Sequence, residues 1–252
     1  MLFVSMLGII ATTYYYSVER IEARSQILKN SMAKHDMTSL DENLQAILWQ
    51  TGSSRTLEIS DSGGELRVQP SKNLLLVSIT DNNSISDTVF NATIGQVAYD
   101  LPYSETSDAG LYLKGDYRSI VDQSASTMAQ LYIRKGAEHD EIVLRARPLA
   151  SSTTYLAEDN ETINNLRIYI VNLNSSQDID LMGKIPLRIS CTNIEDTTRT
   201  FNVPYQVDAL NVTASLDGIP GQISIPISGN ASGTMINVEL VVCEIKIETW
   251  IR

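Results

Sequence analysis

The sequence has few of the side chains that do chemistry. Its 252 residues include two histidines and two cysteines. That excludes zinc ribbons, iron–sulfur clusters and histidine-rich metal centres, each of which draws three or four soft or nitrogen ligands from one chain. No G-x-S-x-G, phosphate-cradling loop, G-x-G-x-x-G or H-E-x-x-H pattern occurs. Basic residues are outnumbered 19 to 30, a net charge of −11, so the surface as a whole repels phosphate backbones and nucleic acid is not an expected partner. The expectation is a protein that is not an enzyme, with no catalytic residue, cofactor or metal. What is present, 43% apolar and 19% charged residues, suffices for a sizeable core and is unlike a disordered chain.

Two further absences are local. Prolines stand at 70, 102, 148, 186, 204, 220 and 226, and no glycine falls between Gly8 and Gly52. Nothing in the first fifty residues interrupts a helix. Beyond Gly52, Val, Ile, Thr, Ser and Asn dominate, and short alternating runs separated by turn dipeptides replace the long unbroken one. Residues 1–50 hold four basic and five acidic side chains, so most of the negative charge belongs to the remainder.

Residues 1–18 carry no ionisable side chain, the first being Glu19. Such a run lies at the lower edge of what spans a bilayer, since roughly 20 residues at about 1.5 Å each cover the hydrocarbon core. Tyr14, Tyr15 and Tyr16 would sit at the headgroups. The run leads straight into a helical pattern without a small-x-small site, so a retained helix is expected rather than a removed signal. Over 19–50 the helix becomes amphipathic. Ile21, Leu28, Met32, Leu44, Ile47 and Leu48 share a stripe that Ser25, His35, Ser39 and Leu40 complete; Glu19, Arg20, Glu22, Arg24, Lys29, Lys34, Asp41 and Glu42 lie opposite. Ser39-Leu40-Asp41-Glu42 reads as a capping box and predicts a break near Thr38, and Gly52 marks the end.

From 53 to 252 the pattern predicts about a dozen strands, at 57–59, 65–68, 73–80, 88–93, 96–100, 111–114, 128–134, 141–148, 166–173, 185–193, 199–203, 209–215, 222–227 and 236–251, with a short helix over 120–131 as an alternative. In the last strand Val241, Cys243, Ile245 and Ile247 alternate with Val242, Glu244, Lys246 and Glu248, predicting one buried and one wet face. The expected class is α+β: a long hydrophobic-to-amphipathic helix in a stem of residues 1–52, then a mainly antiparallel β-sandwich head over 53–252. The head is one sandwich or two in series, with a possible subdivision near 148–158.

The chemical candidates are sparse. Glu138, His139, Asp140 and Glu141 cannot all face one ion, so a solvated loop is expected. The run from Asp81 to Asp87 has oxygens at alternate positions but lacks the glycine and distal glutamate of a calcium loop, and reads as a surface turn. His35 has no nucleophile to serve. Cys191 and Cys243 each share a strand face with apolar neighbours. They either form a disulfide that bridges a sandwich in an oxidising setting or stay two buried thiols. Six N-x-[ST] acceptors, Asn82, Asn91, Asn160, Asn174, Asn211 and Asn230, compare with about three expected by chance, and point to N-glycosylation outside the cell.

This layout resembles the archaeal type IV pilin-like proteins, which include pilus subunits and archaellins. Residues 1–16 match the hydrophobic stem, 17–50 its amphipathic extension, and the chain from Ser53 the β-head. The likeness spans the whole chain and rests on architecture, not on a diagnostic motif. It implies that a prepilin peptidase removes a short basic leader. It implies too that the stem is membrane-inserted before assembly and that freed stems then bundle into the core of an extracellular filament, a homo-oligomer. Leu2, Phe3, Val4, Met6, Leu7, Ile9, Ile10, Tyr14, Tyr15 and Tyr16 would be its polymerisation residues, and the heads its outer, often glycosylated sheath. The acidic residue that many bacterial pilins carry near the mature N-terminus is not matched, the first here being Glu19. A head of about 200 residues is large for a major pilin and leaves room for a minor, tip or adhesive subunit. The alternative expectation is a monomeric membrane-anchored cell-surface protein or adhesin whose head binds a ligand, a surface glycan or the cell wall.

Overall fold

A computed structural model describes the chain apart from residues 1, 82, 84, 103–106, 138, 157–161, 230–232 and 251–252, and apart from the side chains of 2–5, 7 and 156. Helix α1 (Leu2–Gln45) runs unbroken for 44 residues, about 66 Å at the usual rise. The break expected near Thr38 does not occur. The Thr38 hydroxyl donates back to the Lys34 carbonyl (2.8 Å) and the Asn43 amide to the Ser39 carbonyl (2.8 Å), as inside a helix. Asp41 of the supposed capping box is instead fully buried against the Lys114 ammonium. A break after Thr38 would expose this buried carboxylate, so the tertiary ion pair favours an unbroken helix. The helix closes with Ile47 N–H donating to Leu44 C=O (3.1 Å) and Gln50 N–H to Ile47 C=O (3.3 Å). Trp49 (φ 64°) and Gly52 (φ 82°) then turn the chain into the head through left-handed backbone that glycine adopts freely and tryptophan rarely.

Among the described residues, fourteen strands follow: β1 (Ser54–Ile59), β2 (Glu65–Thr80), β3 (Ser86–Asp100), β4 (Tyr112–Lys114), β5 (Val121–Asp122), β6 (Ala129–Lys135), β7 (Asp140–Ala146), β8 (Leu149–Leu156), β9 (Thr162–Asn172), β10 (Ile179–Met182), β11 (Ile185–Val203), β12 (Ala209–Leu216), β13 (Ile219–Pro226) and β14 (Thr234–Thr249). They form a six-stranded sheet in the order β1-β11-β14-β9-β8-β5 and an eight-stranded sheet in the order β13-β12-β2-β3-β7-β6-β4, with β10 also on β2. Pairing is antiparallel except between β9 and β14 and between β5 and β8. The chain is therefore α+β, with one N-terminal helix and a β-rich, mostly antiparallel head.

Several strands that the pattern separates are continuous. The register of β2 on β3 jumps from Gln69↔Gln96 to Asn73↔Ile94. Pro70, which lacks an N–H for the ladder, and Gly95 both fall inside that irregularity, so the proline bends the strand without ending it. β11 passes through a similar shift between Cys191 and Asn193. Residues 120–131 hold no helix: Val121 and Asp122 pair with Leu149 and Ala150, and Ala129 opens β6. Strand β8, unanticipated, occupies most of 148–158.

The core comprises two clusters, and each takes residues from both sheets. In the first, Ile59, Leu187, Ile189, Cys191, Cys243, Ile245 and Ile247 of the six-stranded sheet join Leu66, Val68, Val97, Leu131, Ile133, Ile142 and Leu144 of the eight-stranded one. The second combines Leu166, Ile168, Ile170, Ile236 and Val238 with Leu75, Val77, Ile79, Leu210, Val212 and Leu216. Only the first includes helix residues, among them Met37, Leu40 and Leu44. Val242, expected on a wet face, is buried in the second cluster while its neighbour Cys243 is buried in the first, so the centre of β14 is covered on both faces.

Candidate functional site

The functional candidate is the part of α1 that the head does not cover. Residues 33–48 carry the buried stripe: Ala33, Met37, Leu40, Leu44, Ile47 and Leu48 pack into the first cluster at the helical spacing of three and four. Polar pairs fix the docking angle. Asp36 accepts the Ser60 backbone N–H (2.7 Å), Lys34 donates to Asp108 (2.6 Å), and buried Asp41 takes Lys114 and the Gln45 amide (3.3 Å). Trp49 meets Tyr169 edge to face, with ring centres 5.2 Å apart. The head thus holds four turns of helix from several sides.

N-terminal to residue 33 the helix buries no side chain among those described. Ile9 is 68% exposed, Tyr14 72%, Ile21 67% and Leu28 62%; Met6, Ile10, Tyr15, Tyr16, Ile27 and Met32 are exposed as well. The projecting length, residues 2–32, is roughly 45 Å. Two of its hydroxyls are bonded within the helix. The Thr12 hydroxyl donates to the Gly8 carbonyl and the Thr13 hydroxyl to the Ile9 carbonyl (2.8 Å), so neither needs water. Arg20, the first cation, lies over the Tyr16 ring at 4.8 Å. Of the residues expected to serve polymerisation, Met6, Ile9, Ile10, Tyr14, Tyr15 and Tyr16 have exposed side chains; the side chains of Leu2, Phe3, Val4 and Leu7 are not among those described. No helix, among the described residues, is long and apolar enough to cross a membrane.

The other candidates scatter over the head. Asn91 is exposed on β3 and Asn174 in the turn after β9, while Asn211 is half-buried on β12; Asn82, Asn160 and Asn230 fall outside the described residues. Asp81 receives the backbone N–H groups of Asn83 (2.9 Å) and Ile85 (2.7 Å) and the Tyr205 hydroxyl (2.7 Å), which is turn chemistry. Asp140 and Glu141 diverge: Asp140 binds the Ser107 hydroxyl (2.7 Å), and buried Glu141 pairs with Arg134 (2.6 Å) and Arg67 (2.9 Å). Among the described residues, no group of three or more His, Cys, Asp or Glu is placed to hold a metal ion.

A cleft of about 660 Å³ opens beside this pair, lined by Glu65, Arg67, Lys72, Asp100, Arg134 and His139 among others. Burial pushes the Asp100 carboxyl up against the opposing pull of Arg67. A hydrogen bond with the Asp180 carboxyl raises Glu65. Arg67 and Arg134 already serve Asp100 and Glu141, so these charges are partners of one another. Cys191 and Cys243 belong to neighbouring strands of one sheet, β11 and β14, with their sulfurs 3.5 Å apart. A bond between them would tie strands within a sheet and would not bridge two sheets.

Sequence reasoning placed Asp41 on the solvated face and gave Asp36 no part in the stripe. Both are contact residues of the stem–head junction. The available signal was that Asp36 and Asp41 adjoin Met37 and Leu40, at the margins of the stripe. No protein-family model, curated protein or solved structure matches the chain.

Proposed function

We propose that the chain is a structural subunit of an extracellular type IV pilus-like filament, polymerising through its N-terminal helix, with the β-head exposed and N-glycosylated. One observation carries this reading. A single rigid helix docks through its last four turns and leaves about eight turns with large apolar side chains uncovered. Contiguous exposed apolar surface of that extent marks an interaction site in a water-soluble protein. A helix apolar on all sides over residues 6–18 fits a place surrounded by other stems, whereas a groove-binding helix needs one apolar face. No residue of 2–18 carries a charged side chain, so a stem that resides in a membrane before assembly and ends among its own copies buries no charge over that length. The head is then the sheath, a sandwich whose two sheets face each other across both clusters.

The mechanism needs no chemistry beyond packing. The proline-free, glycine-poor helix keeps the projecting part aligned with the docked part, and the Asp41–Lys114 and Lys34–Asp108 pairs fix its exit angle from the head. Every subunit thereby presents its stem at the same inclination, which a helical polymer requires. Membrane-anchored monomer is the second reading, to which the charged cleft would offer a binding site; its arginines, Arg67 and Arg134, are engaged by Asp100 and Glu141. Electron microscopy of intact native material separates the two. Helical filaments are the expected result, and chains that stay dispersed under native conditions would refute polymerisation.

A further inference from the structure

Cys191 and Cys243 are both buried, on facing positions of β11 and β14 displaced by the register shift at Cys191 and Asn193. That irregularity brings Cys191, paired with Ile245, diagonally toward Cys243, paired with Ile194. The non-bonded sulfurs lie 3.5 Å apart and need to close by about 1.5 Å to reach the 2.03–2.05 Å of a disulfide.

The end of the stem lies over this pair. Gly52 N–H donates to the Cys191 carbonyl (2.8 Å) and Cys191 N–H to the Ser53 carbonyl (3.0 Å), while Ile47, Leu48 and Trp49 pack into the cluster that holds both cysteines. Burial pushes the Cys243 thiol up to about 12. Thiol–disulfide exchange runs through the thiolate, so the folded pair is slow both to react and to be attacked.

We propose that Cys191 and Cys243 are a modification site: a structural disulfide installed before the helix end closes over β11, and thereafter shielded by it. The oxidant is a disulfide of low-molecular-weight or oxidoreductase type. One cysteine thiolate attacks it and releases one thiol; the second cysteine displaces the mixed disulfide and releases the other. The protein loses two hydrogens, and the oxidant's disulfide leaves as two thiols. In the cell this rests on the extracellular placing proposed above, because that compartment supplies such an oxidant. The bond fixes the strand that receives the stem to the central strand of the six-stranded sheet.

The test is refolding of the full chain, dispersed in mild detergent, in a buffer of reduced and oxidised glutathione or in dithiothreitol. The expected product from glutathione is two mass units lighter. Trypsin then releases peptides 189–199 and 200–246 as one cross-linked species. The bond resists millimolar reductant until denaturant is added, and the midpoint of thermal unfolding stands about 10 °C above that of the dithiothreitol product. A Cys191→Ala/Cys243→Ala variant should fold and lose that redox dependence. Folded protein from glutathione in which denaturation exposes two alkylatable thiols would overturn the proposal. Filament imaging of the same samples keeps the two readings apart, since neither cysteine lies on the stem. Filaments without the bond overturn only the disulfide; the bond without filaments supports it while counting against the polymer.

Discussion

Leu28 and Leu40 make a controlled experiment within one helix. Both are leucines of the same unbroken helix, yet Leu28 is 62% exposed and Leu40 is fully buried in the first cluster. Leu→Ala removes three carbons, worth about 2.4 kcal/mol at ~0.8 kcal/mol per buried group. Incomplete collapse of the cavity brings Leu40→Ala to about 3 kcal/mol. Alanine is at least as good a helix former as leucine, so Leu28→Ala should fall within about 0.5 kcal/mol of the parent. For a chain of this size the 3 kcal/mol corresponds to a fall of roughly 6–12 °C in thermal midpoint. The assay is urea unfolding of the full chain dispersed in detergent, in a Trp250→Phe background, so that fluorescence reports Trp49 against Tyr169. Equal losses at both positions would refute a stem that is free N-terminal to residue 33. A negligible loss at Leu40 would refute the docking. Under assembly conditions the order reverses for the filament: Leu28→Ala weakens stem packing and raises the concentration needed to polymerise.

A charge among the stems should be worse. Ile9→Asp or Ile10→Asp places an unpaired carboxylate in a dry bundle at a cost of several kcal/mol per subunit. Sedimentation and microscopy should find no filaments with the head's circular dichroism unchanged, and normal filaments would refute the core assignment. Asp116 is held well below the usual carboxylate range, chiefly by its hydrogen bonds to Arg118 and also by Arg147. Its contribution is therefore complete above the free value of about 3.9 and fades as pH falls below it. Asp116→Asn should lower the thermal midpoint at pH 7 by more than at pH 3, and an equal drop at both would refute the pairing. Glu244 carries the opposite sign, raised mainly by burial. Glu244→Gln should raise the midpoint at neutral pH, with the gain vanishing as acid protonates the native carboxyl. Mass measurement before and after deglycosylation should show carbohydrate on the exposed acceptors Asn91 and Asn174, with Asn91→Gln and Asn174→Gln each removing one glycan; no mass change would refute their occupancy.

The stem's existence and length were legible because helix formation is local. A stretch without proline and with Gly8 as its one glycine favours helix throughout its 44 residues, and the local break expected near Thr38 is overridden by contacts with the head. The separation of helix from strand at Gly52 was legible for the same reason, as was the class of the head, from β-branched runs between turn residues. Strand continuity was not. Pro70 and Gly95 look like terminators in one dimension, and only pairing across β2 and β3 turns them into a single bulge. The parallel contact of β9 with β14 joins segments about seventy residues apart, which no local pattern encodes. Nor does a sequence state how far along a uniform stripe the head reaches. Ile21, Leu28 and Leu40 are equally apolar, and coverage depends on where β1, β6, β7 and β11 come to lie against the helix. The sequence by itself determined that a long apolar-to-amphipathic helix leads into an acidic β-head with few chemical groups. Tertiary structure decided that the head grips four turns and leaves eight bare, that Asp41 is a buried anchor, and that the two cysteines meet. These depend on long-range placement, and hydrophobic burial, being non-directional, is specified only when the distant surfaces are brought together.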